Sequence, residues 1–179
     1  MGSKFTGPLL NAEKSAGARE FFNFLPISEE PDYVTFYSDF IFSKDYAAAD
    51  WTVTETQAGA TQALVADALN GEFALVNSAA DDDVNQIQSA EEWFKMSSGK
   101  RAWFETKVKV SDATQSDFFV GFCTTDTTVI AGTTDSVGFR KLDGSTTVSC
   151  LTEDATSETT STAYTAANDT YATVQSAAA

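Results

Sequence analysis

The chain has 179 residues, 42 % of them hydrophobic and 14 of them phenylalanine, enough apolar mass for one domain with its own core and too much for a disordered chain. Its formal charge of −15 is uneven: residues 1–20 carry Lys4, Lys14 and Arg19 against Glu13 and Glu20, a net +1, which leaves −16 for the rest. Such a body repels phosphate backbones, whose binding needs clustered Lys and Arg, so nucleic acid is excluded as a partner.

Residues 1–31, ending "EFFNFLPISEEP", read as an N-terminal arm punctuated by Gly7-Pro8 and Pro26. The pattern predicts a short helix from about Asn11 to Phe24, with Asn11 as N-cap and an incomplete capping box, because Lys14 stands where a Glu or Gln would complete it. Phe5, Leu9 and Leu10, together with the cluster Phe21, Phe22, Phe24 and Leu25, give the arm more apolar surface than so short a segment buries alone. We therefore expect it to dock, either on its own domain or on a neighbouring subunit. "MGSKFT" also has the spacing of a myristoylation signal, Gly2 followed by Thr6, but a Gly/Ser start with no second anchor is the plainer reading. No apolar run of about 18 residues is present, and no signal-peptide core, so a membrane partner is not expected.

From residue 32 to residue 179 a β-sandwich is expected. The period there is two: "YVTFYSDFIF", "WTVTETQ", "EFALVNS", "RAWFETKVKV", "DFFVGF", "SVGFRKL" and "STTVSCL" are rich in β-branched and aromatic residues and are parted by turn signals. In "KRAWFETKVKVSDATQSDFFVGF", Ala102, Phe104, Thr106, Val108 and Val110 share one face, while Trp103, Glu105, Lys107 and Lys109 share the other. The strand that follows places Phe118, Val120 and Phe122 opposite Phe119, Gly121 and Cys123. It is apolar on both faces, so the two strands read as a hairpin at the centre of the core. Asp143-Gly144 reads as a type I′ hairpin turn and Asn70-Gly71 as a turn of similar chemistry. The fold class that follows is all-β, an antiparallel two-sheet sandwich.

Beyond residue 152 large apolar residues become scarce, although Thr, Tyr and Val remain. A sandwich stopping there exposes an unpaired edge, so either a partner supplies the closing strands or the natural chain continues past residue 179; the abrupt Ala177–Ala179 end favours the second expectation. Cys123 and Cys150 fall in separate predicted strands and read as free buried thiols.

Histidine is absent. That removes Ser-His-Asp and Cys-His catalysis and the usual zinc sites. The carboxylates Glu153, Asp154 and Glu158 do not keep the strand alternation that two groups flanking a sugar bond would need, so an enzyme is not expected. "AADDDVNQIQ" brings Asp81, Asp82, Asp83 and Asn85 together, the oxygen ligands that calcium takes. The competing reading is a solvated loop, since consecutive carboxylates cannot all face one ion. Of the three tryptophans, Trp51 and Trp103 lie in strand patterns and read as core or interface, which leaves Trp93 as the ring that could stack on a sugar.

Taken together, "GEFALVNSAADDDVNQIQ", "GKRAWFETKVKVSDATQSDFFVGF" and "DSVGFRKLDG" resemble a concanavalin-like (laminin G-like) jelly-roll domain of virion structural proteins from tailed, mostly marine, bacteriophages. "GPLLNAEKSAGAREFFNFLPI", "PDYVTFYSDF" and "KDYAAADWTVTE" resemble the N-terminal part of the same proteins. The likeness covers about residues 5–170, with "KVSDATQSDFFVGF" its most specific piece; the later "YVNG"-like hairpin and closing strand of such proteins have no counterpart here. The resemblance implies a jelly-roll sandwich and a non-enzymatic virion protein on the capsid exterior. On this resemblance the chain is expected to decorate or stabilise the shell, to be anchored by its arm to the major capsid protein, and to be a homo-oligomer. Related sandwiches bind glycans, often with calcium, so a host-surface adhesin on a capsid or tail fibre is the alternative. A tail or fibre component with the same domain is a third reading.

Overall fold

The computed structural model describes residues 36–41, 46–47, 49–68, 71–80, 82–96, 102–155 and 157–178. The chain divides into two compact units, residues 1–38 and 39–179, and the described strands all lie in the second. The arm, its expected helix and its apolar residues fall outside the described residues.

Ten strands follow in chain order: β1 (Trp51–Glu55), β2 (Thr61–Leu64), β3 (Phe73–Val76), β4 (Asn85–Ser89), β5 (Ala102–Val108), β6 (Phe118–Cys123), β7 (Asp135–Lys141), β8 (Thr147–Asp154), β9 (Ser157–Thr165) and β10 (Ala172–Ala178). Every pairing is antiparallel: β1 with β4, β2 with β3, β5 with β10, and a four-stranded meander in the order β6-β7-β8-β9. The described part is thus all-β, as the period of two predicts.

The core sits between the β5–β10 pair and the meander. Phe139 from β7, Val148 from β8 and Val174 from β10 are buried there with Ala113 and Ala166, and Phe104, Val110, Phe118, Val120, Cys150 and Tyr164 pack around them. Alternation explains the set, since Phe118 and Val120 share a face of β6 while Val148 and Cys150 share a face of β8. Phe122, next on that face of β6, meets Phe104 at 5.6 Å and Phe94 at 5.3 Å between ring centroids, both edge-on. Two facing sheets with one apolar interior make the arrangement sandwich-like.

Three expectations are corrected. The strands of "KRAWFETKVKVSDATQSDFFVGF" do not form a hairpin: β5 pairs with β10 and β6 with β7, so the two belong to facing layers and touch through Phe104 and Phe122. Among the described residues β6 is the end strand of its sheet, with Phe118 and Val120 packed against the core. The connection between β7 and β8 is longer than a type I′ turn, because five residues separate Lys141 from Thr147 and only Gly144 of the Asp143-Gly144 pair has positive φ, 72°. Residues 36–41 of "YVTFYSDFIF" carry no strand. Conversely, the segment past residue 152 supplies two full strands, one of which places Val174 in the core at 3 % exposure.

Two close approaches demand glycine. Gly121 and Gly138 face each other across β6 and β7, and a Cβ on Gly138 would stand 2.5 Å from the Val120 carbonyl oxygen. Gly71, at φ 71°, ends the β2–β3 connection where a Cβ would lie 2.1 Å from the Asp39 carbonyl oxygen. Its predicted turn partner Asn70 is outside the described residues.

Candidate functional site

The piece most specific to the resemblance, "KVSDATQSDFFVGF", spans the β5–β6 connection, and the structure shows what it does. The Asp112 carboxylate accepts hydrogen bonds from the amides of Thr114 and Gln115 at 2.8 and 3.0 Å, which hold the carboxyl below the usual aspartate range. The turn so formed is tied to two other loops. The Ala113 amide donates to the Asn168 side chain at 2.8 Å, and the amides of Asp169 and Gly144 donate to the carbonyls of Val110 and Thr114, each at 2.9 Å. Beneath them the fully buried Lys141 donates through its Nζ to the carbonyls of Ser116 and Leu142. One end of the sandwich is therefore a knot of three loops around a buried ammonium. An ammonium bound to two carbonyls holds a scaffold, and its charge also reaches the carboxyls of Asp112 and Asp117.

The acidic loop is likewise turned inward. Asp81 lies outside the described residues, and Asp82 is exposed at a positive φ of 54°. Asp83 accepts from the Ser78 amide and from the Thr56 hydroxyl, and these bonds, the Ser78 amide first, hold its carboxyl below the ordinary range. Asn85 donates to the carbonyls of Thr61 and Val76 at 3.1 and 3.0 Å and accepts from Gln62 at 2.7 Å. Asp83 and Asn85 thus stitch β4 to its neighbours. Among the described residues no group of three His, Cys, Asp or Glu side chains is placed to hold a metal ion.

Trp93 is half-buried, and its ring meets Trp51 edge-on with centroids 5.3 Å apart. The structure brings this candidate against a second tryptophan. A cleft beside the β2–β3 hairpin is lined by Phe40, Ile41, Leu64, Val65, Asp67 and Gly71; among the described residues that line it, Asp67 is the one carboxylate. No protein family, no curated protein and no solved structure matches the chain.

One polar cluster escaped sequence reading. Lys107 and Lys109, recognised as sharing the outer face of β5, both sit over the ring of Tyr171, at 4.5 and 4.8 Å from its centroid. Glu72 closes the group at 3.5 Å from Lys109. A hydrogen bond with Tyr171 is the main cause that lowers the Glu72 carboxyl and raises the Lys109 ammonium. The i, i+2 lysines were the visible half of this signal; Tyr171 joins them only through the pairing of β10 with β5. On the other side of the meander, Cys123 is a free, half-buried thiol that accepts from Gln88 at 3.4 Å, and burial pushes its pKa up. It is therefore a poor nucleophile.

Proposed function

We propose that this chain is a non-enzymatic virion structural protein that decorates or stabilises the outer surface of a phage capsid, anchored to the major capsid protein through residues 1–31. The observation that carries the reading is the use made of its polar residues. Asp83, Asn85, Asp112, Lys141 and Asn168 are engaged in holding loops and strands together, which suits a module of defined shape displayed on a particle. The all-β, sandwich-like body is compatible with the jelly-roll expected from the resemblance, and its negative charge would keep it clear of packaged nucleic acid.

Co-sedimentation of the purified protein with capsids lacking it tests the reading, using the full chain and a chain without residues 1–31. Saturable binding at a fixed ratio to the shell protein, lost with the arm, is the expected result. Binding that survives loss of the arm, or no binding at all, counts against it. The alternative, a calcium-dependent glycan-binding adhesin, draws on Trp93 beside Trp51. It predicts affinity for a host polysaccharide that falls with chelation of calcium and with Trp93→Ala.

A further inference from the structure

The meander ends in a strand unlike the rest. β9 runs for 9 residues, and every one of them except Tyr164 is exposed. Among the described residues no strand pairs with its outer edge. Soluble proteins blunt such edges with lysine, proline or brevity, yet Ser157–Thr165 contains no lysine and no proline and is the longest strand described. Its only charged residue, Glu158, is neutralised by a two-point bridge to Arg140 at 2.7 and 2.8 Å. Glu153 and Asp154 lie behind this end of β9 on β8, but in a chain of net charge −15 the outermost strand itself carries a single, bridged charge over 9 residues, an edge that two copies can approach.

The backbone indicates how they would meet. A two-residue hairpin closes on a hydrogen-bonded pair, here Asp154 and Ser157. By alternation the amides and carbonyls of Glu158, Thr160 and Thr162 then point away from β8. The one irregularity of the β8–β9 ladder lies at Val148/Ser149, opposite the far end of β9, and leaves Ser157–Thr162 in regular register.

We propose that the outer edge of β9 pairs antiparallel with β9 of a second copy of this chain, on a two-fold axis through Thr160. Thr160 faces Thr160, Thr159 faces Ser161 and Glu158 faces Thr162. Roughly six backbone hydrogen bonds join the two meanders into one sheet, and hydroxyl side chains meet hydroxyl side chains, a favourable cross-strand combination. The two Glu158 side chains stand about 14 Å apart along the strands, so the register avoids opposing like charges. The contact is isologous and closes at two copies. It names the surface for the homo-oligomer expected of the chain and needs no capsid, so it stands or fails separately from shell binding.

Sedimentation of the full chain over a concentration series tests the pairing. We expect a species of twice 19.2 kDa. Thr160→Pro deletes an outward amide without touching the ladder to β8, and Thr160→Lys sets two ammonium groups face to face; each raises the dimer dissociation constant about tenfold or more. Thr125→Lys, in an exposed loop position, makes the same charge change and leaves association intact. Thr160→Cys forms an intermolecular disulfide on mild oxidation, because paired Cα atoms lie about 5.5 Å apart. Ser157→Cys does not, its two copies being about 20 Å apart. A protein that stays monomeric to its solubility limit, a dimer indifferent to both Thr160 changes, or equal crosslinking at the two cysteine positions overturns the proposal.

Discussion

Residues 49–96 and residues 102–178 form β-structure by different means. The first stretch contains β1 to β4, and none of its described residues is fully buried; Val53, Val65, Leu75 and Val76 are exposed. Its order comes from side-chain hydrogen bonds, with Gln62 bridging Glu55 and Asn85 at 2.7 Å each, and from ring contacts such as Phe40 on Phe73 at 5.2 Å. The second stretch holds every buried apolar side chain described. Hydrogen bonds exchanged for water contribute about 1 kcal/mol each, whereas a fully buried aliphatic or aromatic side chain contributes roughly 1.5–3 kcal/mol. The difference teaches that the second stretch sets global stability and the first is a finely specified but cheaply opened attachment.

The sharpest way to break the second stretch is Phe139→Ala. That ring is 3 % exposed at the centre of the cluster, and its loss should cost about 3–5 kcal/mol, read as a lower midpoint in chemical denaturation. Lys141→Met comes next. It removes the ammonium while keeping the stem, leaves the carbonyls of Ser116 and Leu142 short of a donor, and should cost about 1–3 kcal/mol; an unchanged midpoint would show that water replaces the amine. Asn85→Ala probes the other stretch: about 1–2 kcal/mol, expressed as faster hydrogen exchange in β2, β3 and β4 while β7 and β8 keep their protection.

The smallest effect is that of acid. The carboxyls of Asp83, Asp112 and Asp126 are lowered, chiefly by the backbone amides of Ser78, Gln115 and Thr128 respectively. A lowered folded value means that each contribution is fully present above the unfolded carboxyl range, near pH 4, and is lost as pH falls through the folded value. Below about pH 4, exchange should quicken first around Asp83, in the stretch with no fully buried residue among those described, and later around Asp112 and Asp126. Simultaneous opening of the two stretches would erase the distinction drawn between them.

How much of this was legible in the sequence follows the same divide. β1, β3, β5, β6, β7 and β8 are written in β-branched and aromatic residues, and the face assignments of Phe104, Phe118, Val120 and Phe122 agree with the packing. β2, β4, β9 and β10 are written in Thr, Gln, Ser and Ala, whose period is invisible to a hydrophobic pattern because partners rather than burial order them. Pairing partners were not legible either: β5 looks for its neighbour 70 positions away, as Glu105 and Gln175 show. At the candidate site, the oxygen-rich loop was found, but the inward use of Asp83 and Asn85 depends on strands that its own sequence does not reveal. The arm lies outside the described residues and remains an expectation.

The β5–β10 pair carries a further consequence, in the order of events during folding. The meander β6 to β9 joins strands adjacent in sequence, so its loops close at little entropic expense, while the pair that covers it must bring together residues 102–108 and 172–178. The meander should therefore assemble first and wait, apolar face open, for its lid. Val174→Ala should then leave the refolding rate nearly untouched and accelerate unfolding, and the interval before the lid arrives is when this protein is most exposed to aggregation.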